Sequence, residues 1–338
     1  GPPTAAAFPE KGGDVVIDAQ QDIKGYVGTS NKAPQYYQPW LLSNTSVTPS
    51  GNVWGAGVFA PTGTQIASQS AWWIQYGSFQ QGILSAGGNV SVFAGRDLID
   101  VSVSAPTTGR VSGGLSADST PVTHLYGSGN MVVRAGDNIL GGSFYEGSGH
   151  ASIVAGGDIG QSGTVSRFNG SKLERPDVPL LAVDTGQIAM VANGAITMAG
   201  VVNPAALHVQ PASKANPLDP NEKAPLYMDT YGPDSKVSLV ARRGDLTITI
   251  ALPTIEDTHG GPTPAAASMY PASFDARALE GNLITTGLAE ITEIDLSIGL
   301  KASRVPMPGI VLSPSKHGIF NLLAQGSIDL TFGYKNST

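Results

Sequence analysis

The chain has 338 residues, enough to bury a sizeable core, but only 13% are charged, about half the usual share for soluble domains. It contains no Cys, which excludes thiol catalysis and thiolate metal sites. Its net charge of -7, with Lys and Arg scattered, excludes the basic stripe of a nucleic-acid binder, and no apolar run approaches the ~18 residues that span a bilayer.

Read in chain order, one phrase recurs. It first stands at 12–23 as GGDVVIDAQQDI. An atypical stretch follows at 31–85, holding Trp40, Trp54, Trp72, Trp73 and Tyr76. The phrase returns as GGNVSVFAGRDL at 87–98, GNMVVRAGDNI at 129–139, GHASIVAGGDI at 149–159 and GQIAMVANGAI at 186–196. Residues 203–234 are dense in Pro and lack periodicity, then SKVSLVARRGDL stands at 235–246. A second Pro- and Ala-rich stretch covers 253–273, a short helix is expected over 274–280, and 281–299 reads as a degenerate copy. The last clear copy is GIFNLLAQGSI at 318–328.

The phrase has a physical grammar. A short alternating run points one face inward at period two. A fixed Ala (Ala19, Ala94, Ala135, Ala155, Ala192, Ala241, Ala324) fits a tight corner. Gly, Asn and Asp supply turn conformations, and Ile or Leu re-enters the core. Two short strands joined by a corner, repeated and stacked, predict an all-β right-handed parallel β-helix. The 20 residues from Ala135 to Ala155 set the length of one rung. An antiparallel sandwich would need hairpin signals such as Asn-Gly between alternating runs, and these are nearly absent. The expected organisation is one solenoid domain over 1–338, with excursions at 31–85, 203–234 and 253–273. Gly1-Pro2 reads as a protease scar, so the chain is expected to be a fragment of a larger protein.

Few residues point to chemistry. Trp40, Trp54, Trp72, Trp73 and Tyr76 form either a sugar-stacking platform or the packing of a lateral cap. Arg243-Gly244-Asp245 is an integrin-type tripeptide, but it occupies the repeated corner, where Gly and Asp serve the turn. The corner acids Asp22, Asp97, Asp137, Asp158 and Asp245 could form a polysaccharide-cleaving pair; the alternative is that each caps its own turn. The five His have no metal-ligand spacing, so no metal, cofactor or catalytic residue is assigned.

The segment WWIQYGSFQQGILSAGGNVSVFAGRDLIDVSVSAPTTGRVSGG at 72–114 resembles a domain of uncharacterised function in filamentous-haemagglutinin-family outer-membrane exoproteins. That resemblance implies two-partner secretion through an outer-membrane transporter and a place at the bacterial cell surface. It also implies roles in adhesion, biofilm cohesion or delivery of effector domains, with polysaccharide or a host-cell receptor as partner. The expected function is a stiff, non-enzymatic structural or adhesive segment. The alternatives are a carbohydrate-binding module and a β-helix polysaccharide lyase or hydrolase.

Overall fold

The computed structural model describes residues 8–25, 41–44, 58–59, 65–66, 71–74, 76, 79, 82–112, 122–168, 172–204, 230–249, 255–256, 262–263, 269–286 and 310–331. Among them the protein is all-β, dominated by long parallel sheets. The run before each corner Ala forms one strand and the Ile or Leu after it begins the next. Eight first strands, from Val15–Ala19 to Phe320–Ala324, make one sheet. Eight second strands, from Ile23–Lys24 to Ile328–Thr331, make another in the same order. A third sheet runs Ile83–Leu84, Val103–Ala105, Ser143–Glu146, Leu180–Val183, Gly200–Val202, and Met269–Tyr270 pairs with Val311–Leu312 beyond it. Each pass through first, second and third sheets is one coil of a solenoid-like stack.

Register explains why the phrase repeats. Ala19 pairs with Ala94, then Ala135, Ala155, Ala192, Ala241, Ala278 and Ala324, so the corner Ala residues form one column. Core residues stack likewise, with Val92, Val133, Ile153, Met190 and Leu239 adjacent and fully buried. Each such side chain contributes about 1.5–3 kcal/mol of burial. The backbone ladder continues round the corner. Gly136 N–H donates to Ala94 O at 3.0 Å, Gly156 to Ala135 O at 3.0 Å and Asn193 to Ala155 O at 3.1 Å.

One copy was hidden. Residues 274–280 form no helix; Ser273–Ala278 is a first-sheet strand, with Ala278 at the corner and Leu283 opening the next strand. Ala, Arg, Leu and Glu favour helices in isolation, and the register with Lys236–Ala241 overrides that preference. In the degenerate copy, Leu283–Thr286 is the second strand of this same coil, and 287–299 lie outside the described residues.

The excursions also differ from expectation. The first ends earlier than residue 85, because Ile83–Leu84 already pairs with Val103–Ser104. The third ends before 269, because Met269–Tyr270 and Ser273–Ala278 are back in sheets. Within 203–234 only 203–204 and 230–234 are described. Two further excursions were not foreseen: the strands Thr107–Ser112 and Val122–Gly127, and the hairpin Gly163–Phe168 with Lys172–Asp177. Thr107–Ser112 and Val122–Gly127 join Ala71–Ile74 and Leu41–Asn44 in a four-stranded antiparallel sheet. This sheet caps the third face. Phe144, Leu181 and Val201 point into the main core, while Tyr145, Leu180, Ala182 and Val202 pack with Trp72 and Ile74 in a second core.

Candidate functional site

The corner acids are consumed by the stack. Asp97 Oδ1 accepts both the backbone N–H and the Nδ2–H of Asn138, each at 2.9 Å. Asn138 Oδ1 accepts the Asp158 N–H, and Asp158 Oδ1 the Ala195 N–H, each at 2.8 Å. Asn282 Oδ1 does the same for Ser327 at 2.8 Å. For Asp22, Asp97, Asp158 and Asp245 the expectation that each Asp caps its own turn is corrected: the oxygen reaches the next coil, while in the coil of Asp137 the neighbouring Asn138 holds the ladder position and the Asp137 side chain is exposed. These acids run along the stack axis, at most one to a coil. Asp22 also pairs with Lys24 at 3.2 Å, and that bond holds its carboxyl below the usual range. Arg96 lies 3.8 Å from both Asp22 and Asp137, an exposed contact of small energetic value.

Arg243-Gly244-Asp245 belongs to the same ladder. Arg243 and Gly244 are exposed, and Gly244 has a φ of +96°, which favours glycine. Asp245 Oδ1 accepts the Asn282 N–H at 2.7 Å and its Nδ2–H at 3.0 Å. The carboxylate that a receptor would read is engaged with the neighbouring coil.

The aromatic candidates separate. Trp72 and Trp73 are only 1% and 4% exposed, so neither offers a ring face to a sugar. Trp72 Nε1–H donates to Thr107 O at 3.1 Å. Gly109 is required beside it, because a Cβ there would lie 2.3 Å from Trp72 Cη2. Tyr76 is half exposed. Trp40 and Trp54 lie outside the described residues.

Sequence reasoning missed the densest polar cluster, which sits beneath the cap where the third sheet turns back to the first. Asp184 follows Leu180–Val183 and is fully buried. Its Oδ2 accepts the hydroxyls of Thr107 and Tyr145 at 2.5 Å each, and its Oδ1 accepts the Thr230 hydroxyl at 2.6 Å. Thr230 Oγ1 also lies 3.0 Å from Asn203 Oδ1. Glu146 ends the strand one coil earlier and is likewise fully buried. Its Oε1 accepts the Ser128 hydroxyl at 3.0 Å and the Gly149 N–H at 2.9 Å, while Oε2 has no hydrogen-bond partner. Burial, reinforced by the charge of Asp184, pushes Glu146 up to about 8, so it is protonated at neutral pH. A weaker pair lies at the neighbouring corner. There burial and the Asp100 carboxylate push buried Asp177 up to about 6.

The only trace of the cluster in the sequence is an acid closing two of the third strands shortly before a Gly, in Phe144-Tyr145-Glu146-Gly147 and Ala182-Val183-Asp184-Thr185-Gly186. A neutral acid beside a charged carboxylate is what acid–base chemistry needs. Here both are enclosed, so their chemistry is confined to the groups around them, and they fasten the cap and the 203–230 excursion to the coils. No metal-ligating group of three or more His, Asp or Glu occurs among the described residues. No helix there is long and apolar enough to cross a membrane.

No protein-family model, curated protein or solved structure matches the chain.

Proposed function

We propose that the chain is a right-handed parallel β-helix from a secreted bacterial surface exoprotein of the filamentous-haemagglutinin type. In this reading it is a stiff spacer that displays its excursions. The observation that carries the reading is the uninterrupted stack of eight first strands and eight second strands in a single parallel order. Parallel crossovers are right-handed in about 98% of cases, which supports the handedness. Rungs stack at roughly 4.8 Å with a continuous backbone ladder along the axis, so bending the rod breaks hydrogen bonds in every coil. Display at a cell surface and passage through an outer-membrane transporter follow from the family resemblance, with contact to polysaccharide or host receptors left to other regions of such an exoprotein.

The carbohydrate-binding alternative loses two of its five anchors, since Trp72 and Trp73 are buried. The hydrolase alternative loses four of its five corner acids, Asp22, Asp97, Asp158 and Asp245, to the inter-coil ladder. The test is incubation of the purified chain with an array of bacterial and host polysaccharides, reading both retention and released fragments. The spacer reading expects neither. Retention abolished by Tyr76→Ala, or release of oligosaccharides, overturns it.

A further inference from the structure

The buried cluster contains a nucleophile, a base and an electrophile in contact. Asn203 follows the strand Gly200–Val202, Thr230 precedes Lys236–Ala241, and Asp184 stands one coil earlier. Thr230 Oγ1 is 2.6 Å from Asp184 Oδ1 and 3.0 Å from Asn203 Oδ1. A carbonyl bond of about 1.2 Å puts the Asn203 amide carbon within roughly 4.2 Å of that hydroxyl oxygen. A modest rotation of either side chain brings it to the about 3–3.5 Å of a near-attack geometry. Asn203 Nδ2 is directed to Val183 O at 3.5 Å, away from the hydroxyl. Asn203 is buried and Asp184 fully so, while Thr230 is half-buried, so the electrophile and the base are shielded from the water that would compete as nucleophile.

We propose that Thr230 and Asn203 become joined by an intramolecular ester bond, formed by the chain itself with Asp184 as proton carrier. Thr230 Oγ1 bonds to Asn203 Cγ while its proton passes to Asp184. The Cγ–Nδ2 bond then breaks, Asp184 returns the proton to the departing nitrogen, and ammonia leaves. Nothing is oxidised or reduced, and no co-reactant is needed. The usual loss of ammonia from Asn, by attack of the next backbone nitrogen, is closed here because Pro204 has no N–H. The ester closes the loop between 203 and 230, as a disulfide would in a chain that has no Cys.

Intact-mass and tandem mass spectrometry of the folded full chain test this. The ester predicts a mass about 17 Da below that of the sequence, carried by a cross-linked peptide pair containing Asn203 and Thr230. Thr230→Ser keeps the link; Thr230→Val and Asp184→Asn abolish it. Asn169-Gly170 and Asn193-Gly194 can also lose ammonia, so the fragment that carries the deficit decides. Linear peptides of unmodified mass at 203 and 230 overturn the proposal. So does a gain of about 1 Da at Asn203 without a link, since the acyl group would then have gone to water. The unsubstituted chain alone settles the question if Asp184→Asn does not fold.

Discussion

The corner between the first and second sheets and the corners that flank the third sheet obey opposite rules. The first corner has three residues between Ala and Ile or Leu in most coils, and four at Ala241–Leu246 and Ala278–Leu283. No excursion leaves there. Every excursion departs between second and third strands, as at 25–82 and 163–177, or between third and first strands, as at 107–127 and 203–235. The first corner is where inter-coil bonds from Gly136, Gly156 and Asn193 meet the Asp97–Asn138–Asp158 side-chain ladder. It absorbs one extra residue at Ala241–Leu246 and Ala278–Leu283 with the bonds from Arg242, Leu279 and Asn282 kept, but a long insert there breaks several bonds at once. The flanking corners spend their polar groups differently, on isolated clusters such as those of Asp184 and Glu146, which hold Thr107, Ser128 and Thr230 at the roots of two excursions. One edge of the stack therefore keeps the repeat in phase, and the two corners that flank the third sheet carry variation.

Insertion breaks this comparison most directly. Six Gly/Ser residues between Gly156 and Gly157 remove the bonds to Ala135 O and Asp137 O and are expected to abolish cooperative folding, read by urea denaturation. The same insert between residues 169 and 170 is expected to cost about 1 kcal/mol or less, as loop closure grows slowly with length. Next in size, Trp72→Ala removes a buried side chain of the second core and is expected to cost about 3–5 kcal/mol. Hydrogen exchange should place that loss in the strands Ala71–Ile74 and Thr107–Ser112, with the first sheet still protected.

The polar cluster gives a pH signature. Glu146 keeps its proton in the folded chain up to about pH 8, against 4.5 as its ordinary value. The folded state therefore binds the extra proton between those pH values. Its contribution is full below about 4.5, declines as the pH rises and is gone above 8. Midpoints of urea unfolding should fall over that window, and Glu146→Gln should flatten the profile. Asn138→Ala removes one donor and one acceptor of the corner ladder and should cost about 1 kcal/mol by the same measurement. Arg243→Ala, on an exposed corner, should change stability by less than about 0.5 kcal/mol in the same urea titration.

The legibility of the sequence follows the same division. The first corner was readable because its constraint is local: a small Ala, turn residues and an Ile or Leu must recur at fixed spacing. Ser273–Ala278 escaped because Ala276, Arg277 and Ala278 satisfy that constraint with helix-favouring residues. The third strands were not readable by alternation, since Leu180–Val183 and Ser143–Glu146 are buried on both faces. Trp72 and Trp73 read as the packing of a cap ahead of a sugar platform, but the sequence alone does not place them, because their burial depends on a partner sheet about 35 residues further along the chain. Glu146, Asp184, Asn203 and Thr230 are brought together only by stacking, so no spacing rule connects them.

Hydrogen–deuterium exchange on the full chain tests the central claim most directly. If the first corner is the continuous spine of the stack, the amides of Gly136, Gly156, Asn193, Arg242 and Leu279 exchange together and slowest, at the rate of global unfolding. Exchange at those corner amides as fast as in the hairpin Gly163–Phe168, with protection confined to strand centres, would contradict it.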